Sequence, residues 1–276
     1  MIDLINSALG GFVSLFLVPF RGMSPWVGMI VVSVLTALLM LAVYRWISNQ
    51  EAIHTIKDRI KAHLLELRLY KDSLPVTLQA QGRILRYNLR YLGHSLRPML
   101  VMIVPLVLIL VQLDLWFGYR SLQPGESALL KVHVRDQVQP SQLEATLEAP
   151  DGVKVDTPAV RVDGEDEVDW RISGAKPGVH EVQVRLGSES ITKSIAVQQS
   201  ALSRISPSRS GGNVLDRLLA PGEPGLAGST QVKGVDVVYP GARLSAFGWH
   251  VHWLVAYFVL SIVFGFALKG LFGVEI

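Results

Sequence analysis

The stretch "KDRIKAHLLELRLYKDSLPVTLQAQGRILRYNLRYLGHSLRPMLVMIVP", Lys57 to Pro105, runs from a charged, helix-prone segment straight into an apolar one. Half of the 276 residues are hydrophobic and the mean hydropathy is +0.36, too apolar on average for one soluble domain, so membrane spans come first. "WVGMIVVSVLTALLMLAVY", Trp26 to Tyr44, is 19 residues without a charge. "PMLVMIVPLVLILVQL", Pro98 to Leu113, reaches the length of a bilayer crossing once "DLWFG" is added, and "GWHVHWLVAYFVLSIVFGFAL", Gly248 to Leu268, ends against Lys269. The spans are expected at 26–45, 98–119 and 248–269, and three crossings put the termini on opposite sides.

Orientation follows from the basic residues. Between Arg45 and Arg97 lie ten Lys or Arg (Arg45, Lys57, Arg59, Lys61, Arg68, Lys71, Arg83, Arg86, Arg90 and Arg97) against four acids. That excess marks the loop as cytoplasmic. Residues 121–247 hold 13 basic and 16 acidic side chains, and so long a segment translocates largely regardless of charge. It belongs outside, and Lys269 agrees with a cytoplasmic C-terminus. A bacterial inner (cytoplasmic) membrane with the N-terminus outside is the resulting expectation.

Residues 1–22 need a separate decision. "LINSALGGFVSLFLVPF" has Asp3 where a signal peptide has basic residues, and it shows no small-x-small cleavage site. Ile5, Ala8, Leu9, Phe12 and Phe16 share a helical face while Asn6, Ser7, Gly10 and Ser14 fall elsewhere, as in an amphipathic helix lying in the outer interface. A short span paired to Trp26 through "RGMSP" is the rival reading.

In the arm, 46–97, Ile53, Ile56, Ile60, Leu64 and Leu67 recur at three and four positions opposite Lys57, Lys61, Glu66 and Arg68. "KDSLP" breaks this helix, with Pro75 placed in the first turn of the next. Leu78, Leu85, Leu89, Leu92 and Leu96 then repeat, and two such helices read as an antiparallel hairpin in which each hides its stripe against the other. Its charge is read either as a solvated face near anionic headgroups or as a docking surface for a ribosome or nascent chain through Lys57, Lys61, Arg68, Lys71, Arg83, Arg86 and Arg90. No specific nucleic-acid recognition motif accompanies these residues.

Between 124 and 200 the pattern changes to period two. "ALLKVHVR", "QLEATLEA", "VKVDTPAVRV", "DEVDWRIS", "GVHEVQVRLG" and "SITKSIAVQ" are separated by turn signals about every ten residues, which predicts a small immunoglobulin-like β-sandwich anchored on Trp170. It serves either as a spacer over the spans or as a binder of another envelope protein. Residues 201–247, rich in Ser, Gly and Pro, read as an irregular tether. Within it, "VKGVDVVYPG" is a short strand that returns to the sandwich or rests at the membrane surface. The fold class is α+β: three transmembrane helices, a cytoplasmic helical hairpin and an external sandwich.

The absence of cysteine excludes disulfide and thiolate chemistry. Asp114 and Gln112 sit at the outer end of the second span beside Trp116, Tyr119 and Arg120, which favours an interfacial or ion-paired carboxylate. His250 and His252 in "WHVHW" are two apart and fall on different faces of a helix, so an aromatic belt of Trp249 and Trp253 is simpler than a metal pair. Ser33, Thr36 and Ser261 lie more centrally, where small hydroxyls serve helix packing. No phosphate loop, catalytic triad or paired-carboxylate signature points to an enzyme, and no cofactor is implied.

The order of elements, the hairpin "EAIHTIKDRIKAHLLELRLYKD... LQAQGRILRYNLRYLG" and the junction "SLRPMLVMIVPLVLIL" resemble the membrane core of the Oxa/YidC/Alb insertase superfamily, in particular its three-span members. The resemblance covers Met1 to Arg120 and Gly248 to Ile276. It implies a helper for insertion or assembly of client membrane proteins, with a cytoplasm-facing polar groove lined by Ser33, Thr36, Ser261 and Arg45 and the basic hairpin as intake. A locally hydrated, thinned bilayer would lower the cost of moving polar groups through hydrocarbon. Two features depart from the family pattern: no charge lies between Trp26 and Tyr44, and a β domain stands where a helical hairpin is found. The alternative is a non-catalytic scaffold joining envelope and cytoplasmic partners in a larger complex.

Overall fold

The computed structural model describes residues 2–48, 50–69, 74–135, 138–226, 228–246 and 248–273. The chain is mixed α and β, with helices α1 (Ile2–Leu17), α2 (Pro25–Ile47), α3 (Gln50–Leu69), α4 (Leu74–Phe117), α5 (Val214–Leu219) and α6 (Trp253–Phe272). α2, the stretch Thr77–Phe117 of α4, and α6 are long and apolar enough to cross a membrane. Two compact units divide the chain: Met1–Val31 with Leu108–Ala256, and Val32–Val107 with Tyr257–Ile276.

The first unit is built on antiparallel sheets. Strands β1 (Ser127–Val134), β2 (Ala145–Glu148), β3 (Val153–Val155), β4 (Val160–Val162), β5 (Glu167–Gly174), β6 (Gly178–Leu186), β7 (Glu189–Val197), β8 (Ser208–Ser210) and β9 (Val232–Val237) form two of them. One runs β3-β5-β1-β9-β8 with β4 also on β5; the other runs β2-β6-β7. Period-two alternation turns Ala128, Leu130, Val132 and Val134 of β1 inward. Ala128, Leu130 and Val132 join Val168, Trp170 and Ile172 of β5, Val182, Val184 and Leu186 of β6, and Ile191 and Ile195 of β7 in a single core. Trp170 is buried there as the pattern predicted.

Residues 201–247 are more than the irregular tether expected. β9 lies between β1 and β8, with Val235 opposite Val132 and Val237 opposite Leu130. Leu202, Ile205 and Leu226 are buried too. The short strand therefore takes the sandwich side of the two alternatives, because Val232, Val235 and Val237 complete an apolar face that β1 alone leaves open. Entry and exit of the domain meet: Arg120 N donates to the Pro240 carbonyl at 3.0 Å and Ala242 N to the Gly118 carbonyl at 2.9 Å, on either side of a Tyr119–Gly241 bridge.

The third apolar stretch also differs from expectation at its start. Trp249–Val251 is a strand, β11, paired with β10 (Leu244–Ala246), and helix begins only at Trp253. His252 Nδ1 accepts from Leu254 N at 3.3 Å, so it works at the helix N-terminus.

α1 turns its small and polar side to the protein. Asn6, Gly10 and Leu17 are buried while Leu4, Phe12 and Leu15 are exposed. Asn6 Nδ2 donates to the Arg217 carbonyl at 2.8 Å, and Gln112 Nε2 reaches the Asn6 carbonyl at 3.4 Å. Gly10 permits a close approach: a Cβ there would stand 3.2 Å from Arg204 Nη2 and 3.3 Å from Gln112 Oε1, so those side-chain ends would have to give by a few tenths of an ångström.

In the second unit α3 and the N-terminal half of α4 lie antiparallel. Lys57 sits 5.7 Å from the Tyr91 ring, Arg59 Nη1 donates to Tyr87 Oη at 3.0 Å, and Arg83 approaches Glu66 at 3.7 Å. The linking turn and Lys71 lie outside the described residues. Two expectations change. The arm does not end at Arg97: α4 is one helix of 44 residues that continues through Pro98 and Pro105. Each proline removes a single donor from the ladder, and the rest of the helix holds. The leucine stripe does not pack against α3 either. Leu78, Leu85, Leu89, Leu92 and Leu96 are 65, 63, 61, 56 and 46 % exposed, while Ile56 and Ala80 are buried. At 100° per residue Ala80 and Tyr87 lie opposite the leucines, and the small alanine admits the neighbouring helix.

Candidate functional site

Three of the four residues expected to line a groove carry hydroxyls, and the second unit places them on α2 and α6. Ser33 and Thr36 are buried one turn apart on α2. Tyr257, fully buried on α6, directs its hydroxyl toward those of Thr36 and Ser261. Tyr257 and Ser261 are four apart and share a face. Among the described residues, Ser33 Oγ, Tyr257 Oη and Ser261 Oγ are buried and close no hydrogen bond of good geometry. A buried hydroxyl left unpaired costs about 1–3 kcal/mol. The cluster is thus a set of donors and acceptors able to bind a polar group that supplies the missing partners.

Tyr257 was missed by sequence reasoning. Tyr257 lies one helical turn from Ser261, but one tyrosine beside two tryptophans reads as belt. Arg45 does not join the cluster. It is exposed, and its Nη1 donates to the Phe272 carbonyl at 2.9 Å, where a cation complements the C-terminal end of α6. Nine residues separate it from Thr36, about 13 Å of helix.

The basic arm is described except at Lys71. Lys61 pairs with Asp58 at 3.3 Å, and Arg68 and Arg86 are exposed. Arg59 and Arg90 both lie over the Tyr87 ring, at 5.6 and 5.7 Å, and His63 stacks on it at 5.6 Å. Several of the cations thus serve the hairpin itself, Arg83 through Glu66 among them, while Arg68 and Arg86 are exposed to anions.

Two further polar groups belong to the sandwich. His133 Nε2 meets Asp236 at 2.9 Å and its Nδ1 meets Glu167 at 3.0 Å, while Lys131 reaches Glu167 at 2.8 Å. The Asp236 bond raises the His133 pKa against the opposing effect of burial. His133 and Asp236 edge a cavity of about 500 Å³ that also touches Arg209 and Lys233. Lys193 is fully buried, with Nζ 2.6 Å from Glu223 and 2.9 Å from the Ser206 carbonyl. Burial lowers its pKa, and Glu223 opposes that shift. Asp114 lines a separate cavity of about 370 Å³ with Tyr119, Leu219 and Trp253.

Comparison with known proteins adds little to this geometry. No family model matches the chain, and no curated protein matches it. Among solved structures, domains 4 and 5 of the S-layer protein SbsC align over 29 % of this chain and 46 % of that one, at 14 % identity and a TM-score of 0.23.

Proposed function

We propose that the chain is a three-span membrane protein of Oxa/YidC/Alb type that assists insertion or assembly of client membrane proteins. In this reading α2, α4 and α6 cross the membrane and the two-sheet domain is an external immunoglobulin-like sandwich. The hairpin is cytoplasmic, and its net positive charge supports that orientation. A bacterial inner membrane is the setting, with the outward apolar side of α1 against lipid, whether lying on the bilayer or entering it. The observation that carries the function is the unpaired hydroxyl set of Ser33, Tyr257 and Ser261 with Thr36. Counted from the outer ends of α2 and α6 these lie about 6 to 17 Å along the helix axes. Polar groups at that depth would form the floor of a groove open toward the cytoplasm, lowering the cost of carrying a client's polar flank inward from the headgroups.

The test is depletion followed by reconstitution with a short-tailed client. Insertion should fall on depletion and recover with the wild-type chain, while a Ser33→Ala/Ser261→Ala/Tyr257→Phe chain should restore less than a fifth of it. Normal insertion without the protein would end this reading. The scaffold alternative is favoured by the exposed leucines of α4, a surface suited to a protein partner. A stable complex recovered in mild detergent from cells with normal insertion would select it.

A further inference from the structure

The leucine stripe of α4 follows one strict phase. Leu78, Leu85, Leu92 and Met99 repeat every seven residues, and Leu89, Leu96 and Ile103 fall four residues after members of that series. In heptad terms the first set occupies d and the second a, with Gly82 at the remaining a position. The seam lasts almost four heptads, the length at which such a repeat specifies a coiled coil. All seven apolar members are 46 to 65 % exposed, and α3 covers the opposite side of the helix. Lipid tolerates any apolar arc, whereas a strict 3.5-residue period answers to another helix.

We propose that this seam is covered by the same seam of a second copy of the chain, the two α4 helices running parallel. Three observations select that occupant. α4 is continuous for 44 residues, about 66 Å, so a hydrocarbon core of about 30 Å leaves the half around Leu78 and Leu85 out of reach of lipid. Residues flanking the seam carry little charge: Gln81, Asn88 and Ser95 at g face Arg86 and Gly93 at e of a parallel partner. No like charges meet, and Gln81 offers a carbonyl to the second copy's guanidinium. Finally, Arg83, Arg90 and Arg97 all fall at b, clear of the seam. The parallel arrangement rests on the membrane reading above, since a shared membrane points both α4 helices the same way; the seam rests on heptad phase and exposure alone.

The chain has no cysteine, so single cysteines report without background. Full-length chain in native membranes, carrying Leu85→Cys, Leu89→Cys, Leu92→Cys, Arg83→Cys or Arg90→Cys, is treated with a copper oxidant. Disulfide-linked dimers should form at 85, 89 and 92 at least fivefold faster than at 83 and 90. Equal rates at all five positions, no dimer at any, or products containing only a different protein would overturn the seam. Mixed Leu78→Cys and Leu96→Cys chains should link far more slowly than either does with itself; the reverse result would overturn the parallel arrangement. A Leu85→Glu/Leu92→Glu chain in nanodiscs should halve in mass by native mass spectrometry. These readouts are independent of client insertion, so the dimer and the insertase reading fail separately.

Discussion

Lys193 and Glu223 meet at 2.6 Å inside the sandwich, the ammonium fully shielded from solvent. Glu223→Gln would leave that ammonium with the Ser206 carbonyl and only the more distant charge of Asp236. Removing one member of a buried pair costs about 3–5 kcal/mol, whereas exchanging both for uncharged groups is often near neutral. Thermal unfolding of the full chain in nanodiscs, followed by near-UV circular dichroism, should show a large loss for Glu223→Gln and a much smaller one for Lys193→Met/Glu223→Gln. Equal losses would mean that packing, not charge pairing, governs the site.

The His133 bridge gives the domain a pH dependence with a definite sign. Its folded pKa is raised, chiefly by Asp236, so its stabilisation is complete below the ordinary histidine value of about 6.5 and fades as pH rises through the raised value. Asp236 is held below its ordinary pKa despite burial, which outlines the acid side: its contribution is present above about 3.9 and lost as pH falls through the depressed value. Denaturant midpoints should therefore decline from pH 6 to pH 9, and His133→Gln should flatten that decline.

Gly10 controls how closely α1 sits on its neighbours. Gly10→Ala needs a shift of a few tenths of an ångström at Arg204 and Gln112, while Gly10→Leu has no room. The link after α1 holds Arg21, whose guanidinium lies 5.3 Å from the centre of the Trp116 ring. Displacing α1 should expose that link. Tryptic cleavage after Arg21 should speed up severalfold in Gly10→Leu and little in Gly10→Ala.

Tyr257→Phe separates stability from activity. The hydroxyl faces those of Thr36 and Ser261 but closes no hydrogen bond of good geometry, so its removal should lower stability by less than the roughly 1 kcal/mol expected for a well-bonded tyrosine. Client insertion should nonetheless fall if the hydroxyl lines a groove. Unchanged insertion would support the scaffold alternative.

Much of this architecture was legible because the signals were long. The charge-free run 26–44, the period-two segments between 127 and 197, and the paired helical stripes of the arm each integrate many residues. What escaped depended on two elements meeting. The stripe Leu78 to Leu96 is visible in the sequence, but periodicity cannot say which side a neighbour occupies; Ala80 and Tyr87 settle that by letting α3 approach. Likewise Val232 to Val237 is too short to announce its partners. Of the candidate site, the central depth of Ser33, Thr36 and Ser261 is legible in the sequence, whereas the meeting of Tyr257 with Thr36 and Ser261 needed the packed helices. Arg45 was assigned to the groove by its charge, and the open carbonyl at Phe272 claimed it.

The pairing of β1 with β9, and the bonds joining Gly118 to Ala242 and Arg120 to Pro240, have a mechanical meaning. Tension drawing the end of α4 away from the start of α6 would fall first on the bonds between residues 118–120 and 240–242, ahead of the β1–β9 pairing in the path of the load.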